Sequence, residues 1–338
     1  VTALALAIFC GTYLLIAARR LRWLPIGRPA GALLGAVLMV ATGVLTPQAS
    51  YDAIDLDTIL LLFGMMLLTA QYAEAGFFPW IAATLLARDR DPVALLRALC
   101  WLAGILSALL VNDTVCLFFT PMVLLVCRQR GLPYAPYLLA LATSSNIGSA
   151  ATLVGNPQNM LIGAMSGMPF LRFLAWSAPA ALIGLACNSW MLERWYGAQL
   201  RAVPKPSGIS VEPAGVLDVM RLRIAGIATL GVLIAFASGA HLGYAALAGG
   251  VLALVLDRRD PMVLFQRIDW TLLVFFASLF VVVGGLESTG LVHQAWDSLA
   301  PTFRFSTASG LAAFATAMTF GSNVVSNVPM VLLTGPYL

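Results

Sequence analysis

Long uncharged apolar runs recur along the whole chain, at about 2–18, 29–45, 57–75, 94–111, 114–127, 136–168, 173–192, 221–239, 243–256, 270–286, 306–320 and 328–338. Inside a bilayer every backbone N–H and C=O must find a partner within its own segment, and an α-helix of about 20 apolar residues is the usual solution. A chain that repeats such runs reads as an all-α polytopic membrane protein. Composition closes off the alternatives. The 338 residues hold 19 Lys+Arg and 15 Asp+Glu, far below the roughly 85 charges of an average soluble chain this long, and mean hydropathy is +0.91. A soluble enzyme, a nucleic-acid binder and a disordered chain are thereby excluded; the medium is the lipid bilayer.

Val1 to Ala18 is apolar and precedes Arg19-Arg20, the reverse of a signal peptide's charge order, so it reads as a first helix. The five cysteines (Cys10, Cys100, Cys116, Cys127, Cys187) all fall in apolar runs without a CxxC spacing and read as buried free thiols. His241 and His293 stand apart in polar breaks, and neither a metal site nor a cofactor follows from them. The chain opens without Met and stops straight after an apolar run, so further chain is expected at both ends.

Basic loops stay on the cytoplasmic face. Residues 19–28, with Arg19, Arg20, Arg22 and Arg28, therefore lie inside, and the N-terminus outside. Residues 46–57 carry Asp52, Asp55 and Asp57 with no basic residue, which fits outside; Arg88, Arg90 and Arg97 mark the inside, as do Arg128 and Arg130. The segment between these last two breaks starts and finishes on one face. It is either two short spanning helices or a helix with a re-entrant hairpin near 94–127. Residues 193–220 (Arg194, Arg201, Lys205, Pro204, Pro206, Pro213) read as a cytoplasmic linker between two halves, 1–192 and 221–338.

The halves repeat. At an offset of 214, Gly35, Val37 and Leu38 meet Gly249, Val251 and Leu252, Ile54-Asp55 meets Ile268-Asp269, and Gly76 meets Gly290. At 208, Pro121-Met122-Val123-Leu124-Leu125 meets an identical Pro329-Met330-Val331-Leu332-Leu333. The charges invert: the acidic break 46–57 corresponds to 257–269, with Arg258, Arg259 and Arg267, and the basic break 88–97 to 300–310, with only Arg304. This predicts an inverted-topology repeat, an architecture of secondary transporters. The second copy stops just after its hairpin, about 60 residues short of the first.

Polar residues interrupt the apolar runs at Val111-Asn112-Asp113-Thr114 and from Thr143 through Ser145, Asn146, Gly148 and Ser149 to Gly155-Asn156-Pro157-Gln158-Asn159. An unbroken lipid-facing helix cannot hold these groups unpaired, so a broken helix near 136–168 is predicted, its free N–H and C=O groups facing a polar site. Ser322-Asn323-Val324-Val325-Ser326-Asn327 is the matching tip of the second copy. Asp113 is an acid at membrane depth, which marks an ion or proton path; it also suits capping of the following helix. Glu74 and Glu287 suit interfacial helix ends. Catalysis is not expected: no His lies in a span and neither HExxH nor GxSxG occurs.

Asn112-Asp113-Thr114 with Thr120-Pro121, the run Ser145 to Thr152, and Gly155-Asn156-Pro157-Gln158-Asn159 resemble the signatures of the ion transporter superfamily, in the branch of arsenite efflux permeases and plant-type silicon efflux transporters. The resemblance implies a scaffold and a transport domain, with two opposed re-entrant hairpins and two broken helices around the site. It implies efflux of arsenious, antimonous or silicic acid driven by inward protons. Dicarboxylate carriers of the superfamily have Ser-Asn-Thr at the tip where this chain has Val111-Asn112-Asp113, which disfavours an anionic carboxylate substrate. The second broken helix of the family has no counterpart here.

The expectation is therefore a multi-pass cytoplasmic-membrane antiporter. Asn112, Thr114, Ser145, Asn146, Gly148, Ser149, Gly155, Asn156, Asn159, Ser322, Asn323, Ser326 and Asn327 would form the site, and Asp113 would exchange the proton. The alternatives are a sodium/proton antiporter and a passive channel; the resemblance also permits a homodimer. Cys116, near the tip, lies close to an arsenite path but reads as packing.

Overall fold

The computed structural model describes residues 1–17, 27–87, 91–203 and 217–338. Arg19, Arg20, Arg22, Arg88, Arg90 and the linker residues Pro204, Lys205, Pro206 and Pro213 lie outside the described residues. In chain order the helices are α1 (Thr2–Ala17), α2 (Arg28–Ala41), α3 (Pro47–Asp52), α4 (Leu56–Glu74), α5 (Phe77–Ala87), α6 (Pro92–Leu109), α7 (Asn112–Arg130), α8 (Tyr134–Ser149) and α9 (Pro157–Ser166). They continue with α10 (Phe170–Arg201), α11 (Val219–Ala237), α12 (Leu242–Asp257), α13 (Met262–Phe265), α14 (Trp270–Glu287), α15 (Leu291–Leu299), α16 (Ala308–Val325) and α17 (Asn327–Thr334). No strand occurs among the described residues, and the protein is an all-α polytopic membrane protein. By length and composition α4, α6, α10, α11 and α14 can cross a membrane; α1, α2 and α12 are shorter apolar helices.

The boundaries follow ordinary capping chemistry. The side chains of Thr46, Asp91, Asn156, Asp218, Asp269 and Thr307 accept first-turn N–H groups. Prolines open α2, α3, α6 and α9, where the missing N–H costs nothing. Gly131 and Gly167 end α7 and α9 at φ +63° and +60°, a backbone conformation that glycine adopts without strain.

The expected linker begins later than the sequence suggested. Residues 193–201 continue α10, because Ala198, Gln199, Leu200 and Arg201 favour helix and no proline intervenes before Pro204. At 32 residues α10 is about 48 Å long, more than a bilayer core. Trp176, Trp190 and Trp195 stand exposed on it; the first and last are about 28 Å apart along the axis, the spacing of two interfacial aromatic belts. The thiols also need correction. Cys100 and Cys127 are buried, but Cys10 and Cys187 are exposed. In lipid the outer face is as apolar as the core, so hydropathy does not report burial.

Contacts divide the chain into two compact units, Val1–Ile59 with Asp269–Leu338, and Leu60–Ile268, cutting across the linear halves. In the first unit α2 packs against α14 and α1, and α16 folds back along α17. In the second, α6 and α8 share the most extensive contact, α7 lies on α8, α10 on both α6 and α8, and α11 pairs with α12. Phe78 sits between Phe118 and Phe119, at centroid distances of 4.9 and 5.5 Å.

One end of the second unit carries an ion network. Arg221 on α11 grips Asp257, the last residue of α12, with two bonds of 3.1 and 2.7 Å, and reaches Glu74, the last residue of α4, at 3.4 Å. Arg267 donates to the other Glu74 oxygen at 2.7 Å, and Arg259 to Asp218 at 2.6 Å. The Arg221 and Asp257 side chains are only 6% and 5% exposed. Glu74 is thus a helix-end residue, as expected, and one that ties three helix ends together.

Candidate functional site

Leu110 and Val111 separate α6 from α7, and Ala150 to Asn156 separate α8 from α9. Each break leaves helix ends with unpaired backbone groups, and the polar residues of the two breaks satisfy one another. The Asn112 N–H, at the start of α7, donates to the Gly155 carbonyl at 2.9 Å. The Thr152 hydroxyl donates to the Ala108 carbonyl, at the end of α6, at 2.6 Å. Hairpin tip and broken helix are therefore stitched in both directions.

The broken helix is held together in the same way. Asn156 is the cap of α9: its Oδ1 accepts the Asn159 N–H at 2.8 Å, and its Nδ2 donates to Ser149 Oγ at 3.0 Å. Ser149 Oγ donates to the Asn146 carbonyl at 2.9 Å. Asn159 Nδ2 faces three carbonyls, those of Thr152, Ser149 and Ala150, at 2.9, 3.4 and 3.5 Å. Ser149, Asn156 and Asn159 are all buried. Two glycines permit the close approach. A Cβ on Gly148 would lie 2.1 Å from the Gly104 carbonyl oxygen of α6, and one on Gly155 would lie 2.2 Å from the Ser149 oxygen.

At the tip, Asn112 Nδ2 donates to Asn146 Oδ1 at 3.0 Å. The Cys116 thiol donates to Ser145 Oγ at 3.1 Å, and the Ser145 hydroxyl to the Asn112 carbonyl at 3.3 Å. Asp113 and Asn146 are exposed, Thr114 and Cys116 half-buried. Val111 precedes the helix and has no side chain to cap it; Asp113 is the second helical residue, where negative charge complements the positive end of the dipole.

The sequence-predicted residues of this region thus divide by role. Ser149, Asn156 and Asn159 spend their polar groups on the framework. Gly148 and Gly155 allow backbone contact. Asp113 and Asn146 are exposed residues and Thr114 is half-buried. Sequence reasoning missed Asn188 of α10, whose Nδ2 donates to Thr143 Oγ1 and Ser144 Oγ at 2.9 Å each. Its signal was available: a carboxamide in the apolar run 173–192 needs partners.

Ser322, Asn323, Ser326 and Asn327 belong to the other compact unit. Helix α16 continues to Val325, so Ser322 and Asn323 lie in its last turns rather than at a tip, donating to the Met318 and Thr319 carbonyls at 2.6 and 2.7 Å. The break is Ser326, a non-glycine residue at φ +76°. Tyr13, Arg28, Ser322, Asn323 and Ser326 line a cavity of about 310 Å³. The pentapeptide shared by the two halves falls at different places, Pro121 inside α7 and Pro329 at the third residue of α17. The helix breaks themselves run from Val111 to Ser326, 215 residues, close to the 214 offset of the other matches.

Interrupted helices stitched through buried polar groups within an apolar bundle define a class, the polytopic membrane transporters. A model of the citrate transporter family matches residues 13–338. The silicon efflux transporter LSI3 of rice is 32% identical over 370 aligned residues, covering 93% of this chain and 76% of the rice protein. The putative transporter arsB of Dictyostelium discoideum is 26% identical with the same coverage, and an uncharacterized transporter of Mycobacterium tuberculosis 32% identical over 86% of this chain and 69% of its own. The chain belongs to the citrate transporter family, and as a member it is a multi-pass membrane transporter of a small molecule or ion, not an enzyme.

Proposed function

We propose that the chain exports small hydroxylated metalloid solutes, arsenite, antimonite or silicic acid, across the cytoplasmic membrane in exchange for protons. The observation that carries this reading is the exposed acidic residue Asp113, next in sequence to Asn112, whose amide donates to Asn146. Amides and hydroxyls match a neutral polyhydroxy solute in both donors and acceptors. An acid at this tip repels citrate and other polycarboxylates, despite the family's description. The names of the rice and Dictyostelium relatives point the same way.

Asp113 exchanges the coupling proton, and alternating access comes from movement of the hairpin domain against the scaffold. The near-constant offset of the breaks supports the repeat, and the reversal of loop charge supports its inversion, with the N-terminus outside. A sodium/proton antiporter is the second reading, favoured by the buried Asn112 Oδ1, which has no hydrogen-bond partner. Uptake of each solute into inverted vesicles under an imposed pH gradient tests the proposal. Arsenite or silicic acid should accumulate uphill, and Asp113→Asn should abolish accumulation. Collapse of the gradient by sodium alone, with neither solute moving, would overturn it.

A further inference from the structure

Helix α10 touches α8 just where α8 meets the hairpin tip. The Asn188 amide nitrogen donates to both the Thr143 and the Ser144 hydroxyl oxygens, at 2.9 Å each. One turn earlier on α10, Gly184 leaves so little room that a Cβ there would lie 2.9 Å from Ile147 Cγ2. The same turns of α8 face α7 on their other side. Ser145 donates to the Asn112 carbonyl and accepts the Cys116 thiol, and Asn146 Oδ1 accepts the Asn112 amide. At about 3.6 residues per turn, Thr143, Ser144 and Ile147 fall on the side of α8 roughly opposite Ser145 and Asn146. The residues that meet the tip are therefore clamped from behind. The clamp suits its partners: the Thr143 hydroxyl spends its proton on the Leu139 carbonyl at 2.7 Å, so only a donor can pair with its lone pairs, and Ser144 is fully buried, out of reach of water. A carboxamide nitrogen carries two N–H groups, one for each of two neighbouring hydroxyls, which holds α8 in rotation as well as in distance.

The geometry points to Asn188 as a positioning residue of the transport site: it holds the rotation of α8 about its own axis that delivers Ser145 and Asn146 to the hairpin tip. It acts through these two residues and touches no solute itself. Without its amide, α8 is free to turn, which separates Ser145 from the Asn112 carbonyl and the Cys116 thiol and misplaces the Asn146 amide. The site then binds its solute more weakly while the helices stay packed. The solute used in the test comes from the efflux reading; the clamp itself does not depend on that reading.

The test uses the full chain in inverted vesicles and two variants that break the clamp from opposite sides. Asn188→Leu keeps a side chain of comparable size and removes the donor; Thr143→Val with Ser144→Ala removes the acceptors. N-ethylmaleimide alkylation of each cysteine, followed by peptide mass spectrometry, needs no substrate. Cys116, released from Ser145, should react about tenfold faster in both variants, while the buried Cys127 stays unreactive and so reports an intact fold. Initial rates of arsenite uptake should show KM raised about tenfold, with the maximal rate within about twofold of the parent. A purely structural loss lowers the maximal rate and leaves KM alone. Combining all three substitutions should add nothing to either readout, because both variants break the same contact. Unchanged Cys116 reactivity, an unchanged KM with a lower maximal rate, or additive effects in the triple variant overturns the inference. If Cys127 becomes reactive in Asn188→Leu, Ser144→Ala alone decides by the same criteria. Faster Cys116 alkylation in the variants, with no arsenite uptake even by the parent, supports the clamp and refutes the efflux reading. Arsenite uptake by the parent with neither readout moved by the variants does the reverse.

Discussion

Two chemically identical substitutions should behave in opposite ways. Asn156 and Asn159 are three residues apart at the start of α9, and by position alone a carboxylate at either should be welcome, since it complements the helix dipole by about 0.3–1 kcal/mol. The hydrogen bonds reverse this for one of them. Asn156 uses its oxygen on the Asn159 N–H, which a carboxylate also accepts; Asn156→Asp keeps the cap and loses the bond to Ser149, and its buried charge is offset by that N–H and by the positive end of the helix. Asn159 uses its nitrogen, and three carbonyl oxygens at 2.9 to 3.5 Å surround it. Asn159→Asp places a buried anion against three acceptors. Removing the donor costs about 1–3 kcal/mol, and an uncompensated buried charge raises that to about 3–5 kcal/mol. Asn159→Ala should fall between the two aspartates. Thermal unfolding of the detergent-solubilised protein, followed by a thiol-reactive dye that reports exposure of buried Cys100 and Cys127, is the assay. At about 2–4 °C per kcal/mol, Asn159→Asp should melt on the order of 10 °C below the parent and Asn156→Asp within a few degrees of it. Equal losses, or the reverse order, would falsify the assignment of Asn159 as the clasp of the broken helix.

The same assay reaches the rest of the molecule. Arg221→Ala leaves Asp257 buried without its bidentate partner and should cost about 3–5 kcal/mol; Arg221→Met with Asp257→Leu should recover most of it, and a double variant as unstable as the single would refute the charge argument. Gly148→Ala forces a methyl to within 2.1 Å of α6 backbone and should destabilise by about 1–3 kcal/mol, with transport lost before folding; a neutral result would mean that α6 and α8 are not in contact there. The Asp218 carboxyl is held below its ordinary range, first by the Arg221 N–H it accepts and then by the Arg259 guanidinium. A depressed carboxyl stabilises the fold above its unfolded pKa and loses that contribution as pH falls through the folded value. Asp218→Asn should therefore be less stable than the parent at neutral pH, with the gap closing in acid; a gap independent of pH would remove Asp218 from the network.

What could be read from the chain alone followed from the cost of exposing polar groups to lipid. Apolar runs located the spanning helices, and Asn112–Thr114 and Ser145–Asn159 located the breaks, because such residues can sit at that depth only where helices stop. The Arg221–Asp257–Glu74–Arg267 network was not legible, since its members are far apart in sequence and each looks like an ordinary loop charge. The end of α16 was misplaced because Ser322 and Asn323 bond back to their own helix, which serine and asparagine do as readily as they mark a tip.

By itself, then, the sequence determined the class, the all-α architecture, and where the polar interruptions lie, because hydropathy and helix-breaking chemistry are local. Only the tertiary structure decided what each interruption is for. The eight polar side chains picked out at the two breaks have nearly the same composition-level signal, yet Asn156 and Asn159 serve backbone ends while Asp113 and Asn146 are exposed. That division depends on which carbonyls and N–H groups come within 3 Å, and distance across a fold is a quantity no single segment contains.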